Sequence, residues 1–318
     1  MLIHEQCAQA VESVHGAGEA WGLDREPSHF RNWVTVDGSH GPTGEMGFRA
    51  GPRRYHLYVA LTCPCAAQAL MALKLKRLES VVGVTVLDPR PTVNAWRFGG
   101  HHEAFPGSEP DPLYGAKYLF ELYQRSHRGY SGEITVPVLW DRLRAEIVNN
   151  EAADIVRMFD DGFGDLSDST VQLYPSALRH EIAAVNEQLD DRFHNGFDRP
   201  GSATTPAAHE QDLLDQCESL GWLEARLGGA AYLVEGRLTE ADLRAFVTLM
   251  RLDVACQGLG KTHQEPLRDY PSLLAYVRRL HALPGVAETV APEHIKAGYD
   301  PIGALESTGL QQISQPAS

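Results

Sequence analysis

One segment, residues 55–87, constrains the fold of this chain more than any other. Residues 55–61 are a β-branched and aromatic run, residues 65–78 have helix-forming composition with basic side chains in the last turns, and residues 81–87 are a second apolar run. This order predicts a strand, a helix and a second strand within about 35 residues, which is a βαβ unit. We therefore expect two parallel strands joined by a right-handed crossover.

A different pattern begins near residue 172, after which apolar residues recur at helical spacing almost throughout. Thr239 and Asp242 mark one helix start, because a capping hydroxyl stands three residues before a carboxylate that can reach back. The four helices predicted there cover residues 175–195, 207–227, 240–255 and 272–282.

Together these patterns predict an α/β domain followed by an all-α domain. A hairpin is predicted over residues 134–140 and 146–149, with a helix over 150–159. The expected organisation is an extended N-terminal arm over residues 1–50, the α/β domain over 51–168, the helical domain over 169–302 and a flexible tail over 303–318.

Charge and cysteine content exclude several classes of protein. The chain of 318 residues carries 28 Lys and Arg against 42 Asp and Glu, a formal net charge of −14. No basic block stands apart, so we expect no nucleic-acid or anionic-membrane partner. The apolar run at 57–73 is too short and too polar to span a membrane. Five scattered cysteines and a start without signal-peptide features predict a cytoplasmic protein.

Cys63 stands at the junction of the first predicted strand and its helix, followed by Pro64. Free backbone N–H groups and the helix dipole at such a position favour the thiolate, so we expect a nucleophile with a pKa below its ordinary value. Pro64 suits the first helical turn. Two alternatives are a buried packing cysteine and, together with Cys65, the start of a zinc site. No second pair stands at metal-ligand spacing, and no metal is predicted.

Two further turns are candidates for binding an extended ligand. Pro137 follows Val136 inside a strand-like run, where a cis peptide would turn the Val136 backbone outward; the alternative is an ordinary edge-strand proline. Glu151 and Ala152 follow at a strand-to-helix turn, where a carboxylate beside free N–H groups could hold an amino acid end. As a plain helix cap this turn needs no ligand.

A thiol at the start of the first helix, a proline-containing strand, an acidic turn and an all-α domain resemble the glutathione transferases, and in particular the Xi class, the glutathionyl-hydroquinone reductases. The resemblance covers roughly residues 28 to 300. Its motifs include Phe30-Arg-Asn-Trp33, Arg54-Tyr-His-Leu-Tyr-Val59, Thr135-Val-Pro-Val-Leu-Trp-Asp141, Val148-Asn-Asn-Glu151, Leu173-Tyr-Pro175, Leu238-Thr-Glu-Ala-Asp242 and Pro284-Gly-Val-Ala-Glu-Thr289.

The resemblance implies a thioredoxin-like domain, a homodimer, and glutathione and a glutathionyl conjugate as substrates. It implies that the Cys63 thiolate attacks the sulfur of the conjugate and that a second glutathione regenerates it. The residues implied to bind glutathione are Trp96, Lys117, Val136, Pro137, Glu151 and Ala152, and those implied to line the acceptor pocket are Tyr299, Asp198 and Cys256.

The sequence departs from the family's pattern at four positions. Cys65 replaces the tryptophan of Cys-Pro-Trp and Ala152 replaces a serine, whereas Asp198 and Cys256 stand where the family has tyrosines. Cys65 is interpreted either as a small residue filling space or as a resolving thiol. We therefore predict Cys63-dependent thiol transfer, with two alternatives: the same chemistry with another low-molecular-weight thiol, or a non-catalytic binding protein of the same fold.

Overall fold

A short pair of strands opens the structure. The computed structural model describes residues 28–90, 96–190, 218–258, 267 and 270–299. Strands β1 (Trp33–Thr35) and β2 (Gly47–Arg49) are parallel, with Trp33 opposite Gly47. The arm expected to be extended therefore contains a two-stranded pair in its described part, residues 28–50.

A four-stranded mixed sheet forms the centre of the N-terminal half. Its strands are β3 (Tyr55–Val59), β4 (Val82–Val86), β5 (Val138–Asp141) and β6 (Glu146–Asn149), in the order β4-β3-β5-β6. β3 and β4 are parallel, as the βαβ prediction requires, and β5 is antiparallel to both β3 and β6. Every residue of β3 is buried, which is typical of a central strand covered on both faces.

Three helices complete the N-terminal half: α1 (Pro64–Leu75), α2 (Leu119–Ser126) and α3 (Ala152–Arg157). α1 packs against β3, against α3 and against the helical half, and nine of its residues are buried for that reason. Sequence reasoning missed α2, whose signal is Glu121: its carboxylate reaches back to accept from the N–H groups of Lys117 and Tyr118 at 2.8 and 2.9 Å.

The C-terminal half is helical, as predicted. Its helices are α4 (Arg179–Leu189), α5 (residues 218–227), α6 (Glu240–Gly258), α7 (Pro271–His281) and α8 (Pro292–Tyr299). α6 is central, packing against α1, α4, α7 and α8. At its start the Thr239 N–H donates to the Asp242 carboxylate at 2.8 Å, so the predicted reach-back is present. α8 was not predicted, and the tail expected over residues 303–318 lies outside the described residues.

Charged side chains tie the two halves together. Arg157 of α3 contacts Glu240 at the start of α6 at 2.7 Å. The Lys76 ammonium, 1% exposed and paired with Asp160 at 3.1 Å, donates to the Val171 carbonyl of the helical half. Breaking one partner of such a pair leaves a buried charge uncompensated, so these contacts fix how the halves meet. No helix within the described ranges is both long and apolar enough to cross a membrane.

Two element boundaries differ from the sequence predictions. β5 begins at Val138 rather than at residue 134, because the Val136–Pro137 peptide is cis and Pro137 has no N–H for a ladder. The helix predicted over 150–159 is Ala152–Arg157, followed by a π-helical turn at Met158–Gly162.

Candidate functional site

Cys63 lies where β3 turns into α1. It is the N-cap of the helix, with extended backbone angles of φ −79° and ψ 122°, and Pro64 is the first helical residue. The sulfur accepts from the Ala66 N–H at 3.4 Å and its thiol donates to the Val136 carbonyl at 3.5 Å. The thiol is 1% exposed. The structure thus places Cys63 between the helix N-terminus and the Val136–Pro137 loop.

The electrostatic balance at Cys63 differs from the expectation. Burial, followed by the neighbouring Cys65 thiol, raises the pKa of Cys63 well above its ordinary value. The Ala66 N–H and the Arg251 charge act in the opposite direction and are outweighed. The predicted lowering of this pKa is therefore wrong for the protein without substrate. Burial destabilises the thiolate more than the Ala66 N–H and the Arg251 charge together stabilise it.

Arg251 is a residue of the site that sequence reasoning missed. It projects from α6 and is 4% exposed. Its guanidinium donates to the carbonyls of Leu61 and Thr62, each at 3.0 Å, and to Val247 within its own helix at 2.7 Å. Two donors of the rigid guanidinium hold the two peptide groups that lead into Cys63, and the third anchors the side chain to its own helix. No local pattern around residue 251 signals this contact, since its partners lie about 190 positions earlier.

The cis peptide between Val136 and Pro137 is present. Thr135, which precedes it, is held by a buried network: the Tyr123 hydroxyl donates to the Thr135 carbonyl at 2.8 Å and accepts from its N–H at 3.2 Å. Asn150 donates to the Tyr123 and Thr135 hydroxyl oxygens at 3.0 and 3.1 Å. Burial raises the pKa of Tyr123 to about 12, so its hydroxyl stays protonated. Tyr123 and Asn150 are positioning residues that sequence reasoning missed.

Glu151 and Ala152 stand beside this loop, because the Asn150 side chain bridges to Thr135. Glu151 is the half-buried N-cap of α3, and its N–H donates to the Asn149 side chain at 2.7 Å. Ala152 is the first residue of the helix. Glu151 occupies the N-cap position without making a side-chain capping hydrogen bond, and the turn lies next to the cis-proline loop.

Trp96 and Lys117 lie on two antiparallel segments that the structure brings together. The Trp96 carbonyl accepts from the Leu119 N–H at 2.9 Å, and the Lys117 carbonyl accepts from the Phe98 N–H at 3.0 Å. Trp96 is half-buried and Lys117 is exposed. The two side chains are thus available on neighbouring segments, although none of the contacts described for these residues joins them to Cys63.

The acceptor side of the predicted site is only partly described. Asp198 lies outside the described residues, as do the side chains of Cys256 on α6 and Tyr299 at the end of α8. The α8 backbone nevertheless contacts the thiol loop: a Cβ added at Gly298 would lie 1.9 Å from the Thr62 hydroxyl oxygen. Only glycine permits this approach, and it brings the backbone of residue 299 beside the loop that carries Cys63.

A search of the described residues for metal ligands finds no group of three or more His, Cys, Asp or Glu that could hold an ion. Of the cysteines whose side chains the structure describes, Cys63 and Cys65, neither is in a disulfide. The geometry therefore places a thiol, a helix N-terminus and a buried cis-proline loop side by side, which is an arrangement suited to thiol–disulfide exchange.

Comparisons with known proteins identify the same family in both halves of the chain. Residues 62–161 match the family model for the glutathione S-transferase N-terminal domain, and residues 218–279 match that for the C-terminal domain. The chain is 40% identical over 301 residues to glutathionyl-hydroquinone reductase YqjG of Escherichia coli, covering 92% of this chain and 91% of the relative. It is 37% identical over 257 residues to glutathionyl-hydroquinone reductase PcpF of Sphingobium chlorophenolicum, covering 80% of each.

Solved structures give the same result. The glutathione-bound structure of YqjG, from Escherichia coli K-12, superposes with a TM-score of 0.80 at 39% identity, covering 91% of this chain and 93% of that one. The glutathione-S-transferase Xi from Phanerochaete chrysosporium superposes with a TM-score of 0.76 at 38% identity, covering 88% of each chain.

Proposed function

Since the chain belongs to the Xi-class glutathione transferases, the glutathionyl-hydroquinone reductases, we propose that its Cys63 thiol reductively removes glutathione from glutathionyl conjugates of the hydroquinone type. The protein is a glutathione-dependent enzyme with a thioredoxin-like N-terminal domain and a helical C-terminal domain. The observation that supports a role for Cys63 is its position: an N-cap thiol that contacts both the helix N-terminus and the Val136 carbonyl.

The proposed first step breaks a carbon–sulfur bond. The Cys63 thiolate attacks the sulfur of the conjugate and forms a Cys63–glutathione disulfide. The ring carbon takes the electron pair and a proton, so the arene is reduced while the two sulfurs are oxidised. A thiol then breaks the mixed disulfide and restores Cys63. The net reaction consumes one conjugate and one glutathione and yields the hydroquinone and glutathione disulfide.

The thiolate needed for this attack is opposed by burial and by Cys65 and favoured by the Ala66 N–H and Arg251. Since the pKa of Cys63 is raised in the protein without substrate, we expect turnover to increase as pH rises above neutral. A cation and an N–H donor fixed beside the sulfur also stabilise the charge during the attack, because they need no reorganisation at that moment.

The glutathione half of the site is proposed to use the backbone of the N-terminal domain. Val136, ahead of Pro137, would pair with the cysteinyl backbone of the tripeptide. Glu151 and the Ala152 N–H would hold its γ-glutamyl end. Trp96 and Lys117 would meet its glycine carboxylate, with Lys117 supplying the local positive charge that an anionic tripeptide needs on a protein of net charge −14.

The acceptor half is proposed to lie on the side of α6 and α8, which carry Cys256 and Tyr299, and to include Asp198. Tyr299 keeps a phenol that could donate to a hydroquinone oxygen, whereas Asp198 and Cys256 cannot act as phenols. We propose the division between the domains near residues 168 and 169. The homodimer and the cytoplasmic location expected from the sequence remain predictions.

The test of this proposal is the substitution Cys63→Ser. We expect release of hydroquinone from a glutathionyl-hydroquinone to fall to the uncatalysed rate, because a serine hydroxyl is not ionised near neutral pH. Cys7→Ser is the matched control and should keep wild-type turnover. Unchanged turnover in Cys63→Ser, with an unchanged melting temperature, would overturn the mechanism.

A second candidate changes the thiol, and the observation that favours it is Ala152. Where the family's pattern has a serine hydroxyl, Ala152 offers only its backbone N–H. Incubation of the purified protein with glutathione disulfide and, separately, with disulfides of other low-molecular-weight thiols, followed by mass spectrometry of the Cys63 peptide, decides between the two. Faster adduct formation with another thiol than with glutathione would favour this candidate.

A further inference from the structure

Two thiols stand next to one another at the start of α1. Cys63 is the N-cap, Cys65 is the second helical residue, and the Cys65 side chain lies close enough to the Cys63 thiol to influence it electrostatically. Neither of the two is in a disulfide, and their accessibility differs, since Cys63 is buried and Cys65 is only partly so. The first sulfur is therefore the harder of the two for a second molecule to reach.

This proximity depends on the backbone of Cys63. Within a regular helix, side chains two positions apart point to different faces and do not meet. Cys63 is not helical: its φ of −79° and ψ of 122° are those of an extended residue, so its side chain does not follow the helical spacing. The N-cap position therefore frees the Cys63 side chain from the helical spacing, so that it can approach the side chain two residues on, as a disulfide between them requires.

We propose that Cys65 is the resolving thiol for glutathionylated Cys63, an inference that rests on the proposed function. The Cys65 thiolate attacks the Cys63 sulfur of the mixed disulfide. The Cys63–glutathione bond breaks, a Cys63–Cys65 disulfide forms, and one glutathione leaves as the thiolate and takes up the proton that Cys65 released. Two further glutathione molecules then reduce the internal disulfide and leave as glutathione disulfide.

Two physical points favour this route over direct attack by a second glutathione. After the first step the Cys63 sulfur is buried and carries a bound tripeptide, whereas Cys65 stands two residues away at the same helix start, so the intramolecular attack has a large advantage in effective concentration. Glutathionylation also removes the ionisable proton of Cys63. The like-charge interaction that Cys65 exerts on an ionised Cys63 then disappears.

The test is a single turnover without free thiol. Reduced protein is mixed with one equivalent of a glutathionyl-hydroquinone, and both free glutathione and hydroquinone are measured. Wild-type protein should release one equivalent of each. Cys65→Ser should release hydroquinone and keep the glutathione on Cys63, and Cys65→Ala should do the same.

The tryptic peptide Tyr55–Lys74 provides the direct readout, because it contains Cys63 and Cys65 and none of the other cysteines. In wild-type protein it should lack two hydrogens, as an internal disulfide requires, and in Cys65→Ser it should carry one glutathione. A wild-type peptide that keeps glutathione to the same extent as Cys65→Ser would overturn the resolving role and leave Cys63 as the nucleophile. No hydroquinone release from Cys65→Ser would overturn the proposed function and this inference together.

Discussion

The two halves of the protein contribute to the site in different ways. The thioredoxin-like half supplies backbone: the N-cap of α1 places Cys63, and a cis peptide places Val136. The helical half contacts the thiol loop through the buried guanidinium of Arg251 and through the helix backbone at Gly298, where there is no side chain. The nucleophile and its binding edge are therefore built locally, while their alignment depends on a domain that is distant in sequence.

The substitution Arg251→Met, which removes the contact of the helical half with the thiol loop, should have the largest effect on catalysis. The substitution removes a cation and leaves the Leu61 and Thr62 carbonyls without their donor, so the turn into Cys63 relaxes. We expect kcat/KM with a glutathionyl-hydroquinone to fall on the order of a hundredfold, since small displacements of a nucleophile have such costs. The pKa of Cys63, from the pH dependence of its alkylation, should rise further.

Two variants control this experiment. Arg251→Lys keeps the charge but not the fork, so it should preserve the pKa of Cys63 better than it preserves kcat. Arg244→Met removes another guanidinium of α6, and this guanidinium pairs with Asp190 instead of with the thiol loop. If Arg244→Met and Arg251→Met lower kcat/KM equally, the effect belongs to helix stability and the positioning role is wrong.

The second prediction concerns a residue of the helical half that lies away from the thiol. Burial raises the pKa of Asp242 to about 6, although Thr239, Leu233 and Tyr276 all donate to its carboxylate. A carboxyl group whose folded pKa exceeds its unfolded value binds protons better when folded. Its contribution to stability is therefore fully present below about pH 4 and is lost as pH rises to about 6.

Chemical denaturation across this pH range measures whether stability falls as pH rises. Wild-type stability should show a decline on the order of 2–3 kcal/mol from this group between pH 4 and 6, and Asp242→Asn should lack it. The variant should also be less stable at every pH, because an amide cannot accept from all of these donors. The alkylation rate of Cys63 in the folded variant should be unchanged. A changed rate would mean that the start of α6 also positions the thiol.

The third prediction tests how the thioredoxin-like half holds the backbone at Thr135 and Val136. Tyr123→Phe removes the hydroxyl that pairs with Thr135 and Asn150, leaving buried polar groups unsatisfied. We expect a loss of about 1–3 kcal/mol in the free energy of unfolding and a higher KM for glutathione, because the Val136 edge is less well held. Tyr130→Phe is the matched control, since its hydroxyl bonds to the Glu133 carbonyl instead. A KM that rises equally in both variants would contradict the positioning role of Tyr123.

The features that could be predicted from the sequence are those determined by neighbouring residues, and the features that could not are contacts between distant parts of the chain. The βαβ unit, the thiol at the helix start and the cis-proline loop are visible because Pro64 and Pro137 are confined to few backbone settings. Arg251, Tyr123 and Asn150 could not be found in this way, because an arginine on a helix or a tyrosine in an amphipathic stretch has no local signature of its distant partner. The direction of the Cys63 pKa was also missed, since burial is a property of the assembled core.

The smallest predicted effect concerns Cys65 and the pKa of Cys63. Cys65 raises this pKa in two ways, through a hydrogen bond and through its charge when ionised, and both are secondary to burial. Cys65→Ala should therefore lower the pKa of Cys63 without returning it to the ordinary range, as followed by alkylation of the peptide Tyr55–Lys74 at increasing pH. Cys65→Ser separates the two causes, because a serine keeps a hydroxyl for the hydrogen bond and carries no charge. If both variants lower the pKa equally, charge is the cause; if only Cys65→Ala does, the hydrogen bond is. An unchanged pKa in both would show that burial and the surroundings contributed by the helical half set the reactivity of Cys63 without its neighbour.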